Sequence, residues 1–310
     1  MTKVVVATQY GGPEGLDVID EPTPDPGPDQ VRIAMRGCGV NPFDFKLYSG
    51  AFGSDPGALP MRLGFEGAGI IEAVGDGVEG FAVGDEVVAN PIPGAYAEQA
   101  LAPASSLVLK PATLDWTEAA GLLLTGSTAV HALTAADVKE GDTVLIHGAG
   151  GVGLMAVQLA VARGARAIIT AVSERHDELR SLGGEPVAFG DGLLERVQDL
   201  APDGIDAALD LIGSDEALEV SLATVADKNR IVTIANFEGA QATGVKAIGG
   251  GPGAEPGTEI RAAAKFELAD LAAAGRLKVT VDRTFPLVDV ADAHRYQASG
   301  HATGKVVLIP

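Results

Sequence analysis

The chain has 310 residues, enough for two domains that each bury a core, and 46% of them are hydrophobic. It carries 42 acidic residues against 22 lysines and arginines, a net charge of −20 that repels phosphate backbones and argues against a nucleic-acid partner. Cys38 is the single cysteine, which excludes an intramolecular disulfide and fits a cytoplasmic protein. No stretch approaches the roughly 20 apolar residues that span a membrane, so we expect no membrane partner.

The first 110 residues predict an irregular, partly antiparallel β domain. Short β-rich runs are separated there by proline and glycine. The runs are Lys3–Ala7, Gln30–Gly37, Gly69–Val74, Glu86–Ala89 and Leu107–Leu109. The tail, Val279–Pro310, returns to β character around a helix at Val290–Ser299. We therefore expect residues 1–114 and 276–310 to form one domain.

The middle of the chain, residues 115–275, predicts an α/β domain with a doubly wound parallel sheet. A helix is predicted at Thr117–Thr134, and apolar strands then alternate with amphipathic helices. The predicted strands are Thr143–His147, Ala167–Ala171, Pro186–Ala188, Ala207–Asp210 and Ile231–Ile234, with a sixth near Val245–Ile248. The predicted helices are Leu154–Arg163, Arg175–Leu182, Leu193–Asp199 and Asp215–Leu222.

A glycine-rich loop follows the first of these strands, in the sequence TVLIHGAGGVG. Gly148, Gly150 and Gly153 have the G-x-G-x-x-G spacing of a dinucleotide site, in which the glycines permit a tight turn, backbone approach to a pyrophosphate and close packing. The following helix supplies partial positive charge at its first turn, which includes Gly151 and Val152. The strand, loop and helix occur in the order this mechanism requires, so we predict that these five residues bind a dinucleotide.

The end of the second strand indicates the cofactor. NAD sites place an aspartate or glutamate there, whereas this chain has Val172 and Ser173. A 2′-phosphate would find a hydroxyl in Ser173 and a cation in Arg175, although Glu174 lies between them. These residues favour NADPH; the alternative is that Ser173 caps the next helix and Arg175 faces water.

The chain resembles the medium-chain dehydrogenase/reductase superfamily, in its zinc-free quinone oxidoreductase (zeta-crystallin-like) branch. The resemblance rests on GCGVNPFDFKLYSG, LGFEGAGIIEAVGDGVEGFAVGDEVVA, LLLTGSTAVHAL, VLIHGAGGVG and the terminal GKVVLIP, in that order. It implies a GroES-like β domain, a Rossmann domain and a homodimer or homotetramer. Two features depart from the branch: the glycine loop is one residue shorter, and Lys46 stands in a segment where many members have tyrosine.

The resemblance also bears on metal binding. Zinc-dependent relatives hold their catalytic ion with Cys, His and Cys, and the corresponding positions here are Asn41, Phe65 and the neighbourhood of Gly121. A phenyl ring and a neutral amide do not replace those ligands, so we predict no metal. Without a Lewis acid, conjugated acceptors become the favoured substrates, because their developing charge is delocalised. Phe43 and Phe65 are predicted to line the acceptor pocket.

Several polar residues are candidates for catalysis or cofactor binding. Asn41 is predicted to bond the nicotinamide ribose or a substrate oxygen; the alternative is a turn-forming residue before Pro42. Lys46 and Tyr48 are candidate proton donors, with a surface role as the alternative. The remaining candidates for cofactor contact are Thr125 in LLLTGSTA, Asn236 and Phe237 beyond the fifth strand, and Lys305, which alternatively faces water.

These features together predict a zinc-independent, NADPH-dependent oxidoreductase that reduces quinones or α,β-unsaturated carbonyls by hydride transfer. Two alternatives remain open: an NADPH-dependent reductase of saturated aldehydes or ketones, and a non-catalytic NADPH-binding protein. The acceptor cannot be identified, because Ser49–Met61 and Ile248–Gly257 are expected to shape its pocket as loops. Within the second loop, Gly249–Gly257 is either a lid or a plain surface loop.

Overall fold

The computed structural model describes residues 1–23 and 25–310. In chain order the described elements begin with β1 Thr2–Ala7, β2 Leu16–Glu21, β3 Gln30–Val40, α1 Pro42–Tyr48, β4 Met61–Arg62, β5 Gly67–Val74, β6 Glu86–Ala89, β7 Gln99–Pro103, β8 Leu107–Leu109, α2 Trp116–Ala120 and α3 Leu123–Ala135. They continue with β9 Thr143–His147, α4 Gly151–Ala162, β10 Arg166–Thr170, α5 His176–Ser181, β11 Glu185–Val187, α6 Leu193–Leu200, β12 Ala207–Asp210, α7 Asp215–Thr224, β13 Ile231–Thr233, α8 Phe237–Thr243, β14 Lys246–Ala247, α9 Thr258–Ala273, β15 Val281–Pro286, α10 Val290–Ala298 and β16 Lys305–Ile309.

The described chain divides into two compact units, and the first is built on β-sheet. It comprises Met1–Leu124 and Phe266–Pro310. Its larger sheet has the order β15-β16-β3-β5-β6-β8, with β7 also paired to β3, and a smaller sheet has the order β2-β1-β4. The last strand, β16, runs antiparallel to β3, with Val307 opposite Gly39. This pairing brings the carboxyl-terminal residues beside the end of β3, where α1 begins.

The second unit, Thr125–Lys265, contains a parallel sheet with the order β11-β10-β9-β12-β13-β14. Counted within the unit, this is the 3-2-1-4-5-6 order of a Rossmann fold. The central strand β9 pairs with β10 on one side and β12 on the other, and its residues 144–146 are fully buried. The predicted α/β fold with a doubly wound parallel sheet and a separate GroES-like β unit is confirmed.

The predicted continuous helix at Thr117–Thr134 is wrong, because the helix is interrupted at Gly121 and Leu122. Gly121 is the C-cap of α2, and a Cβ there would lie 2.7 Å from Cγ of Lys305. A new helix, α3, begins immediately afterwards, and its Leu124 N–H donates to the carboxylate of Glu66 at 2.8 Å. A carboxylate bound to the first turn is a favourable helix start, so residues distant in sequence impose the break.

Some elements were not predicted from the sequence. The most conspicuous is α9, although alanine, glutamate and leucine, which favour helix, dominate its sequence. The short helices α1 and α8 and the strands β2, β4 and β7 were missed as well. Among the described residues, no helix combines the length and apolar character needed to cross a membrane.

Candidate active site

The glycine loop has the backbone geometry of a nucleotide cradle. Gly148 has φ +100°, a conformation that favours glycine, and its N–H donates to Oγ1 of Thr170 at 3.0 Å. A Cβ on Gly153 would lie 2.0 Å from the carbonyl oxygen of Gly148, so the third glycine allows the helix to pack on the loop itself. A Cβ on Gly150 would meet no heavy atom of the described residues within 4 Å. The loop is therefore open on the side of the second glycine.

The helix that follows this loop begins at Gly151 and includes Val152 and Gly153 in its first turn. The first N–H groups of a helix have no partner inside the helix and carry partial positive charge, so they suit a pyrophosphate. The open backbone at Gly150 and this helix start fit a dinucleotide phosphate. The predicted contacts of the individual loop residues with a cofactor stay predictions.

The segment after β10 is organised around Arg175. Its guanidinium donates to the carbonyl oxygen of Ala149 in the glycine loop and to the Glu178 carboxylate at 2.9 and 3.0 Å. The side chain is only 12% exposed, so the alternative of a solvated arginine is wrong. Ser173 is exposed and lies in a 3₁₀ turn with Arg175, whereas α5 begins later, at His176. The serine hydroxyl and the arginine therefore lie on one turn beside the loop.

Asn236 and Phe237 lie just beyond β13, at the carboxyl edge of the parallel sheet. Asn236 caps α8, because its Oδ1 accepts from the Gly239 N–H at 2.8 Å. The ring of Phe237 packs on the glycine-rich segment, where a Cβ on Gly251 would lie 2.3 to 2.5 Å from ring atoms. Farther along, a Cβ on Gly257 would lie 2.2 to 2.5 Å from the ring of His131. The segment Gly249–Gly257 is thus packed against two aromatic side chains.

In the β unit, a buried polar network surrounds Asn41. Nζ of Lys305 donates to Oδ1 of Asn41 at 2.6 Å, to Oε1 of Glu66 at 2.7 Å and to the Val40 carbonyl at 3.2 Å. Nδ2 of Asn41 donates to Oε1 of Glu66 at 3.0 Å and to the Gly39 carbonyl at 3.2 Å. The alternative in which Lys305 faces water is wrong, because the residue is 3% exposed.

The side chains of Asn41 and Lys305 are both bonded inside the β unit. Both were predicted to contact the cofactor, and Asn41 was also a candidate for catalysis. Their side-chain polar atoms bind each other and Glu66. The backbone N–H of Asn41 also donates to Oδ2 of Asp44 at 2.8 Å, at the start of α1. Direct contacts of Asn41 and Lys305 with a cofactor stay predictions. In the structure, both side chains belong to the buried hydrogen-bond network around Glu66.

A second buried cluster involves Asp44, Tyr96, Tyr48 and His294. Burial raises the pKa of Asp44 to about 7, while the Tyr96 hydroxyl donates to its Oδ2 at 2.7 Å. The Tyr48 hydroxyl lies 2.8 Å from Nδ1 of His294, whose pKa burial lowers to about 4. Tyr48 is 0% exposed and burial raises its pKa, so the surface alternative is wrong and the geometry does not favour a proton donor. Lys46, the other candidate, is half-buried in the last turn of α1.

Three phenylalanines form an aromatic wall, defined here as Phe43, Phe52 and Phe65. The Phe43 ring is in the middle, 5.2 Å from the Phe65 ring in an edge-to-face pair and 5.9 Å from the Phe52 ring. Phe52 is 44% exposed, and the other two are half-buried. Edge-to-face aromatic pairs are favourable and leave ring surface available to a planar ligand.

The residues at the positions of zinc ligands do not fit a metal. The Asn41 amide is bonded through both its oxygen and its nitrogen, and Phe65 offers only hydrocarbon. In the part of the chain that the structure describes, no group of three or more His, Cys, Asp or Glu side chains could hold a metal ion. We therefore assign no reaction step to zinc.

Sequence reasoning missed the importance of Glu66, which is fully buried and joins Asn41, Lys305 and the start of α3. A single acidic residue among glycines and apolar residues, in GFEGAGII, was the available indication. Its partner Lys305 is the first residue of the otherwise apolar strand β16, and nothing in the local sequence connects the two.

Two family models match the chain. One, described as an alcohol dehydrogenase GroES-like domain, matches residues 27–112, and the other, described as a zinc-binding dehydrogenase, matches residues 182–308. A quinone oxidoreductase of Pseudomonas aeruginosa is 34% identical over 100% of both chains. The chloroplastic NADPH-dependent alkenal/one oxidoreductase of Arabidopsis thaliana is 32% identical over 99% of this chain and 79% of that protein.

Solved structures give the same picture of the fold. The Escherichia coli quinone oxidoreductase complexed with NADPH aligns over 100% of both chains, with a TM-score of 0.87 and 28% identity. A structure described as an NAD-dependent alcohol dehydrogenase aligns over 99% of both chains, with a TM-score of 0.87 and 30% identity. Similarity in sequence and in fold thus extends over essentially the whole chain.

Proposed function

This chain belongs to the medium-chain dehydrogenase/reductase superfamily, in its zinc-free quinone oxidoreductase branch, and we propose that it is an NADPH-dependent reductase of quinones or α,β-unsaturated carbonyls. The main support for the proposal is the apolar environment of Phe65. A phenyl ring in edge-to-face contact with Phe43 stands where zinc-dependent relatives have a histidine ligand. An apolar wall suits a planar conjugated acceptor and offers nothing that polarises a saturated carbonyl.

Cofactor binding is assigned to the Rossmann unit. The first turn of α4 and the open backbone at Gly150 hold the pyrophosphate. Ser173 and Arg175 lie on one turn beside the glycine loop and hold the 2′-phosphate, with the arginine exchanging its bond to Glu178 for the phosphate. Thr125, Asn236 and Phe237 are further proposed cofactor contacts.

When bound, NADPH supplies a hydride. The aromatic wall orients the acceptor and excludes water from its faces. A hydride added to the β-carbon of an enone, or to a quinone, leaves negative charge that is delocalised onto the conjugated oxygen, and water returns the proton. The buried hydroxyl of Tyr48 takes no part in this proposal, because it faces His294. Lys46 stays a candidate hydrogen-bond donor to the acceptor oxygen.

A second candidate function is reduction of saturated aldehydes or ketones, which the similarity to an NAD-dependent alcohol dehydrogenase favours. A saturated carbonyl needs a strong electrophilic partner at its oxygen. The ammonium of Lys305, which is linked through Asn41 to the start of α1, is bonded to three oxygens inside the unit. Because a saturated carbonyl needs this electrophilic partner more than a conjugated acceptor does, we favour quinones and enones over saturated carbonyls as substrates.

The experiment is a turnover panel in which the purified protein receives NADPH or NADH with quinones, enones and saturated aldehydes. We expect turnover with NADPH and a conjugated acceptor. Activity with saturated carbonyls alone supports the second candidate, and tight NADPH binding without turnover supports a non-catalytic binding protein. A cytoplasmic location and a homodimeric or homotetrameric state are also proposed from family membership, and light scattering in solution tests the latter.

A further inference from the structure

The buried ion pair between Glu66 and Lys305 is not explained by the proposed chemistry. Glu66 is 0% exposed and Lys305 is 3% exposed. Lys305 uses its three N–H donors on Glu66, Asn41 and Val40. Glu66 uses one carboxylate oxygen for Lys305 and Asn41, and the other for the Leu124 N–H. Burying two charges is costly unless every polar atom is satisfied, and this network satisfies them.

Two glycines leave the space that this pair occupies. A Cβ on Gly39 would lie 2.5 Å from Oε1 of Glu66 and 2.5 Å from the Ala120 carbonyl oxygen. A Cβ on Gly121 would lie 2.7 Å from Cγ and 3.1 Å from Cε of Lys305. Neither glycine has a positive φ, so close approach of the ion pair, rather than backbone conformation, accounts for glycine at both positions.

The ion pair is connected to two of the three segments of the aromatic wall, those that carry Phe43 and Phe65. Through Asn41 it contacts the N-cap of α1, the helix that carries Phe43 two residues later. On the other side, Glu66 directly follows Phe65, whose carbonyl oxygen accepts from the Ile92 N–H at 2.8 Å and from Nδ2 of Asn90 at 2.9 Å. The Phe43 and Phe65 segments are therefore both held by hydrogen bonds at or beside the ion pair.

We propose that Glu66 and Lys305 are positioning residues, whose ion pair holds the Phe43 and Phe65 segments in the relative arrangement that binds the acceptor. The consequence for acceptor binding rests on the proposed function. The proposal assigns to a carboxylate and an ammonium, from segments far apart in sequence, the task of organising an active-site wall that contains no metal. Misplacement of a binding wall by about 1 Å is enough to cost a large factor in turnover.

The test compares three variants. Glu66→Gln breaks the charge balance and leaves a buried ammonium, so it is expected to lower the Tm strongly. The double variant Glu66→Gln with Lys305→Met removes both charges and is expected to recover much of the Tm. Its single amide oxygen can accept from the Asn41 amide or from the Leu124 N–H, but does not replace both carboxylate oxygens. Asp142→Asn is the matched control, because it disrupts the mostly buried ion pair with Arg230 in the Rossmann unit, in which Nη2 of Arg230 lies 2.5 Å from Oδ2 of Asp142.

Two readouts are taken well below the Tm of every variant. In hydrogen–deuterium exchange, the double variant should lose protection at residues 41–48 and 63–68, and Asp142→Asn should not. In kinetics, the double variant should raise the acceptor KM on the order of tenfold. The Kd for NADPH is measured in parallel, because a direct cofactor contact of Lys305 would raise that Kd, whereas the positioning role acts on the acceptor KM. A merely stabilising pair would instead give the Asp142→Asn pattern: a lower Tm with an unchanged acceptor KM.

The outcomes separate this proposal from the proposed function. If the wild-type protein turns over no acceptor, the proposed function fails, and exchange alone still decides the positioning role. Unchanged exchange at both wall segments in the double variant overturns the positioning role, whatever the kinetics. Altered exchange together with an unchanged acceptor KM overturns the link between the pair and acceptor binding.

Discussion

Replacing single glycines in the nucleotide loop by alanine should separate its fold from its binding function. Gly150 has φ −79° and ψ −169°, which alanine adopts, and its Cβ would meet no heavy atom of the described residues within 4 Å. Gly150→Ala should therefore leave the Tm unchanged or slightly raised, since alanine lowers the entropy of the unfolded chain. The new methyl group occupies the space through which the backbone approaches the pyrophosphate, so the Kd for NADPH should rise at least about tenfold, or about 1.4 kcal/mol.

Gly153→Ala, in contrast, should lower the Tm of the protein without nucleotide. Its Cβ would lie 2.0 Å from the Gly148 carbonyl oxygen, so the loop and the helix must separate by more than an ångström. Overpacking of this kind costs about 1–3 kcal/mol, which for a protein of this size lowers the Tm by about 1.5–5 °C. Thermal unfolding without nucleotide and a fluorescence titration with NADPH measure the two effects. NADPH binding by Gly150→Ala with wild-type affinity would refute the assignment of this loop as the phosphate site.

Four further predictions concern the cofactor, the acceptor, pH and metal. Arg175→Ala should raise the Kd for NADPH about tenfold and leave the Kd for NADH unchanged. The control is Arg180→Ala, which replaces an exposed arginine and should change neither Kd. An equal loss of affinity for both cofactors in Arg175→Ala would contradict a 2′-phosphate contact. Phe52→Ala should lower kcat/KM about tenfold for naphthoquinone and little for a short aliphatic enone, and parallel losses would argue against an aromatic wall. Burial lowers the pKa of His147 to about 4, so between pH 7 and 5 the unfolded chain takes up a proton that the native state does not. Urea unfolding at both pH values should therefore show the wild type losing up to about 2 kcal/mol more than His147→Gln, and equal losses would place the imidazole in water. Extensive dialysis against a chelator should leave turnover unchanged, and a loss restored by zinc would refute the metal-free assignment.

The Rossmann unit was predictable because its determinants are local. The strand β9 was predicted with its observed bounds, and the loop glycines have the positions that their spacing requires. Arg175 was predicted to contact the cofactor because it follows the second strand by a few residues, and this contact stays a prediction. Its bond to the Ala149 carbonyl, which requires the two loops to meet, could not be derived from spacing.

The β unit was harder to predict because its site is assembled by distant residues. Glu66 and Lys305 are 239 residues apart, and neither has a local motif that indicates the other. The same pair explains why the helix predicted across Gly121 is interrupted. Asn41 and Lys305 were predicted to contact the cofactor, and that role stays a prediction. Their mutual hydrogen bond depends on the pairing of β16 with β3, which periodicity does not specify.

The most direct test of the account is the initial rate of NADPH oxidation in the presence of a chelator, measured in parallel with a quinone, an enone and a saturated aldehyde. The account predicts turnover with the quinone or the enone, slower or no turnover with the aldehyde, and a preference for NADPH over NADH. Turnover of the aldehyde alone, or activity that requires added zinc, would contradict it.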